Sequence, residues 1–383
     1  MRHSMQRLTP ADELLIHQIP ETFATIAEAD VSWTEKIWAS LFAKDGSLQI
    51  DCGLGKYHNR NVMDMFAGVS RGVEQLTVRA SRQLDLDPDR LGAGPFDYAI
   101  IEPLRKVRFV LRENDVMPLE FDVTLTAMLP PFLEAKDGQR EPVGFRVCSQ
   151  VMRYHQLCSV EGWVTIDGTT VPIRPGEWLG VRDHSWGLRM DVGEPYPDLP
   201  RYDRMRLERD FILTWSPLYL QRPDGTWYEI HHYLQAVDGQ ISYFSGFVNN
   251  PDGSQTPLHS VRQELKFDPA NRRLLAGKLI FDAGWGKTRE LEIEPVSDTG
   301  FHLGTGLYFG FKGMRHGNYL GREHIDGERY ADVSDPQIAR EVHQLRDCVV
   351  RVREADAAGY GIFESIVVGE HPEFGLTREN SFL

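Results

Sequence analysis

Seven Asp-Gly dipeptides, at 45–46, 137–138, 167–168, 224–225, 238–239, 252–253 and 326–327, punctuate this chain, most of them between apolar or alternating segments. Glycine takes the positive φ of tight hairpins at no steric cost, and aspartate tolerates it, so each pair predicts an antiparallel turn. The segment SVEGWVTIDGTTVPI reads as strands Val160 to Ile166 and Thr169 to Ile173 about Asp167-Gly168. A second hairpin, WYEIHHYLQAVDGQISYFSGFV, turns at Asp238-Gly239, and VVRVREADAAGYGIFESIVVG is a third. Helical pattern is confined to two short pieces: TPADELLIHQI, with Thr9 as N-cap and Pro10 at the first helical position, and DPQIAREVHQL after Asp335. Many strands on short turns with helix near the ends predict an all-β protein whose antiparallel sheets close or stack as barrels or sandwiches.

With 383 residues the chain exceeds the usual size of one core. Two domains are expected, 1–178 and 179–383, because the proline-rich pieces VPIRPGEW and GEPYPDLPRYD bracket that border. The formal net charge is -14 with no basic runs, which argues against nucleic acid as a partner. Cys52, Cys148, Cys158 and Cys348 include no CxxC, so free thiols in a reducing cytoplasm are expected rather than a structural zinc. No stretch approaches the roughly 20 apolar residues that span a bilayer, and the first residues lack a signal-peptide core. A soluble, cytoplasmic chain that could pair as a homodimer is the expectation.

The segment GVRDHSWGLRM, Gly180 to Met190, concentrates chemistry in a strand context. In an extended strand Arg182, His184 and Trp186 share one face while Asp183 and Ser185 take the other. The flanking glycines allow a bulge that would re-aim these side chains. An Asp183 kept protonated by burial can donate a proton, His184 can relay or accept one, and Trp186 can stack on a flat or cationic ligand. The structural alternative pairs Asp183 with Arg182 or Arg189 and has Trp186 plug a barrel end.

Glu364, in GIFESIVVGE, falls on the strand face of Ile362 and Ile366, where a carboxyl titrates high unless it is paired. WYEIHHYLQ places Glu229, His231 and Tyr233 on one face and Tyr228, His232 and Leu234 on the other. His231 and Tyr233 are candidate cavity-lining residues. Adjacent histidines point to opposite faces, so no metal site is expected. MRHGNYLGREHIDGERY reads as an exposed hairpin or a polar rim of a cavity. P-loop, GxGxxG, GxSxG and HExxH motifs are missing from the sequence, so no nucleotide, flavin or other cofactor is expected.

EWLGVRDHSWGLR resembles the hallmark segment of the superfamily that includes the carotenoid 1,2-hydratases, the fungal kievitone hydratases and the AttH-like proteins, with Asp183, His184, Ser185 and Trp186 at the motif positions. The likeness is closer to a bacterial branch that shares the segments GPFDYAIIEPLRKVRFVL, HGNYLG and GYGIFESIVVGEHPEFGL. The resemblance implies two lipocalin-like barrels in tandem and cofactor-free acid-base chemistry. In the hydratases an enzyme acid protonates a C=C bond and water captures the cation. Relatives on this fold also include pericyclic cyclases. Asp183 is then the expected proton donor, with His184 its partner, Trp186 and Arg182 at the substrate, and Glu364 a second acid. The resulting expectation is a hydratase, dehydratase or isomerase acting on a hydrophobic isoprenoid, steroid-like or aromatic molecule. The competing expectations are a carrier of a hydrophobic ligand and a cyclase.

Overall fold

The structure, a computed structural model, describes residues 8–17, 29–87, 89–134, 137–140, 147–194, 198, 209–342 and 345–381. Part of the proline-rich border, 195–197 and 199–208, lies outside the described residues, as does the side chain of Cys148. Among the described residues fourteen strands form one sheet and ten form a second, every ladder antiparallel, with the first curled into a nearly closed barrel and the second into a half-barrel. The all-β expectation therefore holds.

The three hairpins form as read, Gly162–Ile166 on Thr169–Ile173, Trp227–Val237 on Gln240–Asn249, and Arg346–Glu354 on Ala357–Val368. Asp167 and Gly168 have φ of 52° and 76°, and Asp238 and Gly239 of 51° and 74°, the double left-handed signature of the favoured two-residue hairpin turn. Two of the seven Asp-Gly pairs are not turns. Asp137-Gly138 lies in the strand Asp137–Arg140, and Asp326-Gly327 in the strand Glu323–Tyr330. At Gly327 the requirement is close approach instead of a turn, since a Cβ there would stand 2.7 Å from the Thr77 carbonyl oxygen. The N-terminal helical signal shrinks to a 3-10 turn, Pro10–Glu13, because the following residues run extended into the first barrel. The second is one short α-helix, Pro336–Glu341, capped by the Asp335 carboxylate. No helix among the described residues is long and apolar enough to cross a membrane.

Three apolar clusters organise the molecule. One fills the first barrel, from Ile37, Leu41 and Leu54 to Phe109 and Val160. Another fills the concave side of the second sheet, around Ile230, Leu279 and Phe363. The third joins the sheets: Trp38, Phe42, Phe66, Leu157 and Val181 from the first meet Leu213, Trp215, Tyr219, Ile362 and Ile366 from the second. Strand alternation lets one strand serve two of these cores, as Ile37, Ala39 and Leu41 point into the barrel while Trp38 and Phe42 point at the other sheet.

Candidate functional site

The motif strand, Trp178–Leu188, is central in the first sheet, flanked by Trp33–Ala43 and Val147–Ile166. Its register is unbroken on both sides, with no bulge, so alternation alone decides where its side chains go. Gly187 is required where it stands, at φ 127° with a Cβ position 2.1 Å from the Gln150 carbonyl oxygen.

Arg182, His184 and Trp186 enter the first barrel, where the N-terminal segment meets them. Arg182 makes a bidentate pair with Glu13 at 2.7 and 2.8 Å and also donates to Gln156 Oε1 at 3.1 and 2.9 Å. His184 Nε2 is 3.3 Å from Glu35 Oε2, and His17 Nδ1 is 3.0 Å from the same oxygen. Buried as it is, the Glu35 carboxyl is held down to about 2 by its hydrogen bonds with His17 and His184. The His17 ring stacks on Trp186 at 3.7 Å. Leu15, between these polar anchors, joins the barrel core. His184→Gln is expected to weaken this anchoring, lowering the urea midpoint by an amount worth about 1–2 kcal/mol, with the pH dependence of any Asp183 chemistry unchanged.

Asp183 points the other way, into the space between the sheets. Its Oδ2 lies 3.0 Å from Arg153 Nε, whereas the buried Oδ1 has no hydrogen-bond partner. Burial pushes the Asp183 carboxyl up, against the opposing charges of Arg153 and Arg189. The sequence-level pairing with Arg182 or Arg189 is thus not the ion pair found. Arg182 is turned to Glu13, Arg189 donates to Ser185 Oγ at 2.8 Å, and the partner of Asp183 comes from the neighbouring strand.

A cavity of about 100 Å³ is walled by Lys36, Glu134, Arg153, Arg189, Tyr233 and His316, with Val151, Leu213 and Phe309 as apolar surface, and Asp183 reaches its edge through its contact with Arg153. His316 is buried and lines the cavity, while Tyr319, Arg322 and Glu323 of MRHGNYLGREHIDGERY are exposed and Glu323–Tyr330 pairs as a strand with Glu74–Gln83. His231 and Glu229 reach the same interface from the second sheet. His155 Nδ1 is 2.8 Å from Glu134 Oε1 and its Nε2 is 2.5 Å from Glu229 Oε1. Despite burial, Glu229 and Glu134 raise the His155 imidazole to about 10, so it carries charge between two carboxylates. Trp215 Nε1 donates to Glu134 Oε1 at 3.0 Å, and His231 Nε2 lies 3.4 Å from it. Burial drives His231 well below its usual value, leaving it neutral.

Glu364 shares the interface face of Ile362 and Ile366, as its strand position requires. It stands opposite Asp347 in the ladder, and Asp51 approaches from the first sheet. Burial lifts Glu364 and Asp51 each to about 7 and Asp347 well above its usual value, with the Asp51 and Glu364 charges raising Asp347 further while Asp347 lowers both of them through hydrogen bonds. Carboxyls raised by folding stabilise the folded chain below their unfolded values near 4 and lose that contribution as pH climbs through about 7. This cluster is therefore expected to cost stability between pH 4.5 and 7.5, so that Asp51→Asn, compared with the wild type, loses less melting temperature over that range. An equally steep profile in Asp51→Asn would count against the shared-proton cluster.

Among the described residues, two groups bring potential metal-ligand atoms within 4.8 Å of one another, Glu134 with His155 and His231, and His17 with Glu35 and His184. Each is already knit by the hydrogen bonds and ion contacts above. Of the residues proposed from the sequence, Asp183, Glu364, His231 and Tyr233 lie at the interface between the sheets. Sequence reasoning missed Lys36, Glu134, Arg153 and Asp347. The available signal was a charge alternating with interface apolar residues, as Lys36 does with Trp38 in EKIWASLF.

Fold and site together define an antiparallel two-sheet β-barrel protein with a polar, titratable cavity between its sheets. The chain belongs to a family of unknown function, DUF8625, whose sequence pattern matches residues 8–377. No curated protein matches it. Similar solved structures include kievitone hydratase from Nectria haematococca, with TM-score 0.44, 11% identity and coverage of 88% of this chain and 89% of that one. CghA has TM-score 0.44 at 12% identity, covering 89% and 90%, and CghA with Sch210972 has TM-score 0.41 at 12% identity, covering 88% of each.

Proposed function

We propose that this protein is a cofactor-independent acid-base enzyme, a hydratase, dehydratase or isomerase, acting on a C=C bond or alcohol of a hydrophobic molecule held between the two sheets. The observation that carries this reading is Asp183: its carboxyl is buried at the interface beside the cavity, pushed toward the protonated form, and one oxygen is left without a partner. A neutral carboxylic acid in a water-poor site is the group that alkene protonation or alcohol departure requires. Arg153 fixes the other oxygen, so the acid is oriented as well as pushed toward its protonated form. Glu364, on the same interface and raised to about 7, is the second acid-base group. Val151, Leu213 and Phe309 would receive the apolar body, with Tyr233 and Arg189 at its polar end. His184, Arg182 and Trp186 lie across the strand from Asp183 and act as positioning residues, holding the strand through Glu35, Glu13 and His17.

A carrier that only stores a hydrophobic ligand would use the same cavity, because Glu13, Leu15 and His17 already occupy the first barrel. The test is incubation of a lipid extract from the native host with the pure protein in ¹⁸O-water, beside Asp183→Asn. A product that gains labelled water only with the wild type supports hydration. One lipid co-purifying equally with both proteins, with no product, overturns the enzyme reading in favour of a carrier. A product of unchanged mass and altered retention time, formed only by the wild type, assigns an isomerase or cyclase.

A further inference from the structure

Lys36 has no part in the Asp183 chemistry, yet its setting is that of an activated nucleophile. It lies on the interface face of the strand Trp33–Ala43, alternating with Trp38, and is 2% exposed while lining the cavity. Among the described residues no carboxylate stands within ion-pair distance of its amine. A buried ammonium without a carboxylate partner is costly, which favours the neutral amine against the cation–π contact of Nζ with the Tyr308 ring. Burial and the nearby Arg189 charge push it in that direction, with Asp183, Asp64 and Glu364 opposing.

The amine is also served by a base. Lys36 Nζ lies 2.9 Å from His316 Nε2, and His316 Nδ1 lies 3.4 Å from Asp64 Oδ1. Asp64 is itself fixed, accepting from Tyr57 Oη at 3.0 Å and from the Gly317 backbone N–H at 2.7 Å. Burial lowers His316 to about 4, so its ring is neutral and, with its proton on the Nδ1 that faces Asp64, Nε2 can accept. Nucleophile, base within hydrogen-bond reach and a carboxylate 3.4 Å beyond the base stand in the order of a catalytic triad, with the His316–Asp64 contact an ion contact and not a formed hydrogen bond. The Tyr308 ring, 3.5 Å from Nζ, completes the wall on one side.

We propose that Lys36 is a nucleophilic amine that captures an aldehyde or ketone as a Schiff base in the cavity between the sheets, with His316 as its base and Asp64 as the group that orients His316. The nitrogen lone pair attacks the carbonyl carbon, and the C=O π pair moves to oxygen. His316 takes one proton from nitrogen and delivers it to that oxygen, giving the carbinolamine. A second proton follows the same route as the C–O bond breaks, so carbonyl plus amine becomes imine plus one water, with no change of oxidation state. Hydrolysis reverses the sequence and returns the lysine.

The test treats the full chain with propanal and sodium cyanoborohydride at pH 6 and locates the reduced propyl adduct by peptide mass mapping. An ordinary lysine is neutral there in roughly one molecule in 10⁴, so Lys36 is expected to be labelled at least about tenfold faster than any other lysine. His316→Gln is expected to slow labelling of Lys36 while surface lysines react as before. Asp183→Asn removes a carboxylate that favours the charged amine and is expected to label Lys36 at least as fast as the wild type; slower labelling would tie the amine's reactivity to the acid at Asp183 and overturn its independence. Labelling of Lys36 no faster than that of exposed lysines overturns the nucleophile, and an unchanged rate in His316→Gln overturns the base.

Discussion

Glu13→Gln lowers the stability of the protein by about 3–5 kcal/mol, the cost of leaving a buried charge without its counter-charge. Arg182 is among the largest fully buried side chains, and Glu13 supplies both oxygens of its bidentate pair. Gln156 also binds the guanidinium but carries no charge. Glutamine at position 13 keeps the shape and one acceptor, so the loss reports charge and not packing. The measurement is urea unfolding: the midpoint drops while the slope stays near the wild-type value. Adding Arg182→Met to Glu13→Gln is expected to recover part of the loss, since an apolar replacement of a buried ion pair is often tolerated. A shift under about 1 kcal/mol in Glu13→Gln would mean that the N-terminal segment is not anchored by this pair. Burial opposes ionisation of Glu13, but its bonds with Arg182 hold its carboxyl below the usual value, so this contribution is present above the unfolded value near 4.5 and is lost on acidification.

The second large effect is on turnover. Once a converted substrate is in hand, Asp183→Asn is expected to lower kcat by about 10²–10⁴, the usual contribution of a positioned general acid. Stability should move little, because asparagine is isosteric and Arg153 retains Glu134 as a partner at 3.4 Å. The wild-type rate is expected to decline as pH rises through the elevated Asp183 value, since only the protonated form donates. If Asp183→Asn keeps full turnover, the acid is elsewhere and Glu364→Gln becomes the variant to measure. If it unfolds the chain instead, the Arg153 contact is structural.

The two faces of GVRDHSWGLRM explain how far a site can be read from sequence. Period-two alternation separated Asp183 from Arg182, His184 and Trp186 correctly, because the strand is unbroken. What each face met lay outside the reach of local pattern. Glu13 is 169 residues from Arg182, and His316 is 280 residues from Lys36. The Asp-Gly rule failed at 137–138 and 326–327 for a related reason, since at Gly327 a neighbouring strand's backbone, not a turn, requires the glycine.

The all-β class, the three hairpins, the conformations at Asp167-Gly168 and Asp238-Gly239, and the placement of Glu364 on an apolar face were determined by the sequence alone. Each depends on residues close in the chain, through turn dihedrals or strand alternation. Only the tertiary structure decided that the first barrel is filled by the N-terminal segment, that Asp51 meets Asp347 and Glu364, and that Lys36, His316 and Asp64 line up. The physical reason is that burial and charge partnership, which set these protonation states, are properties of the packed sheets and of residues brought together from across the whole chain.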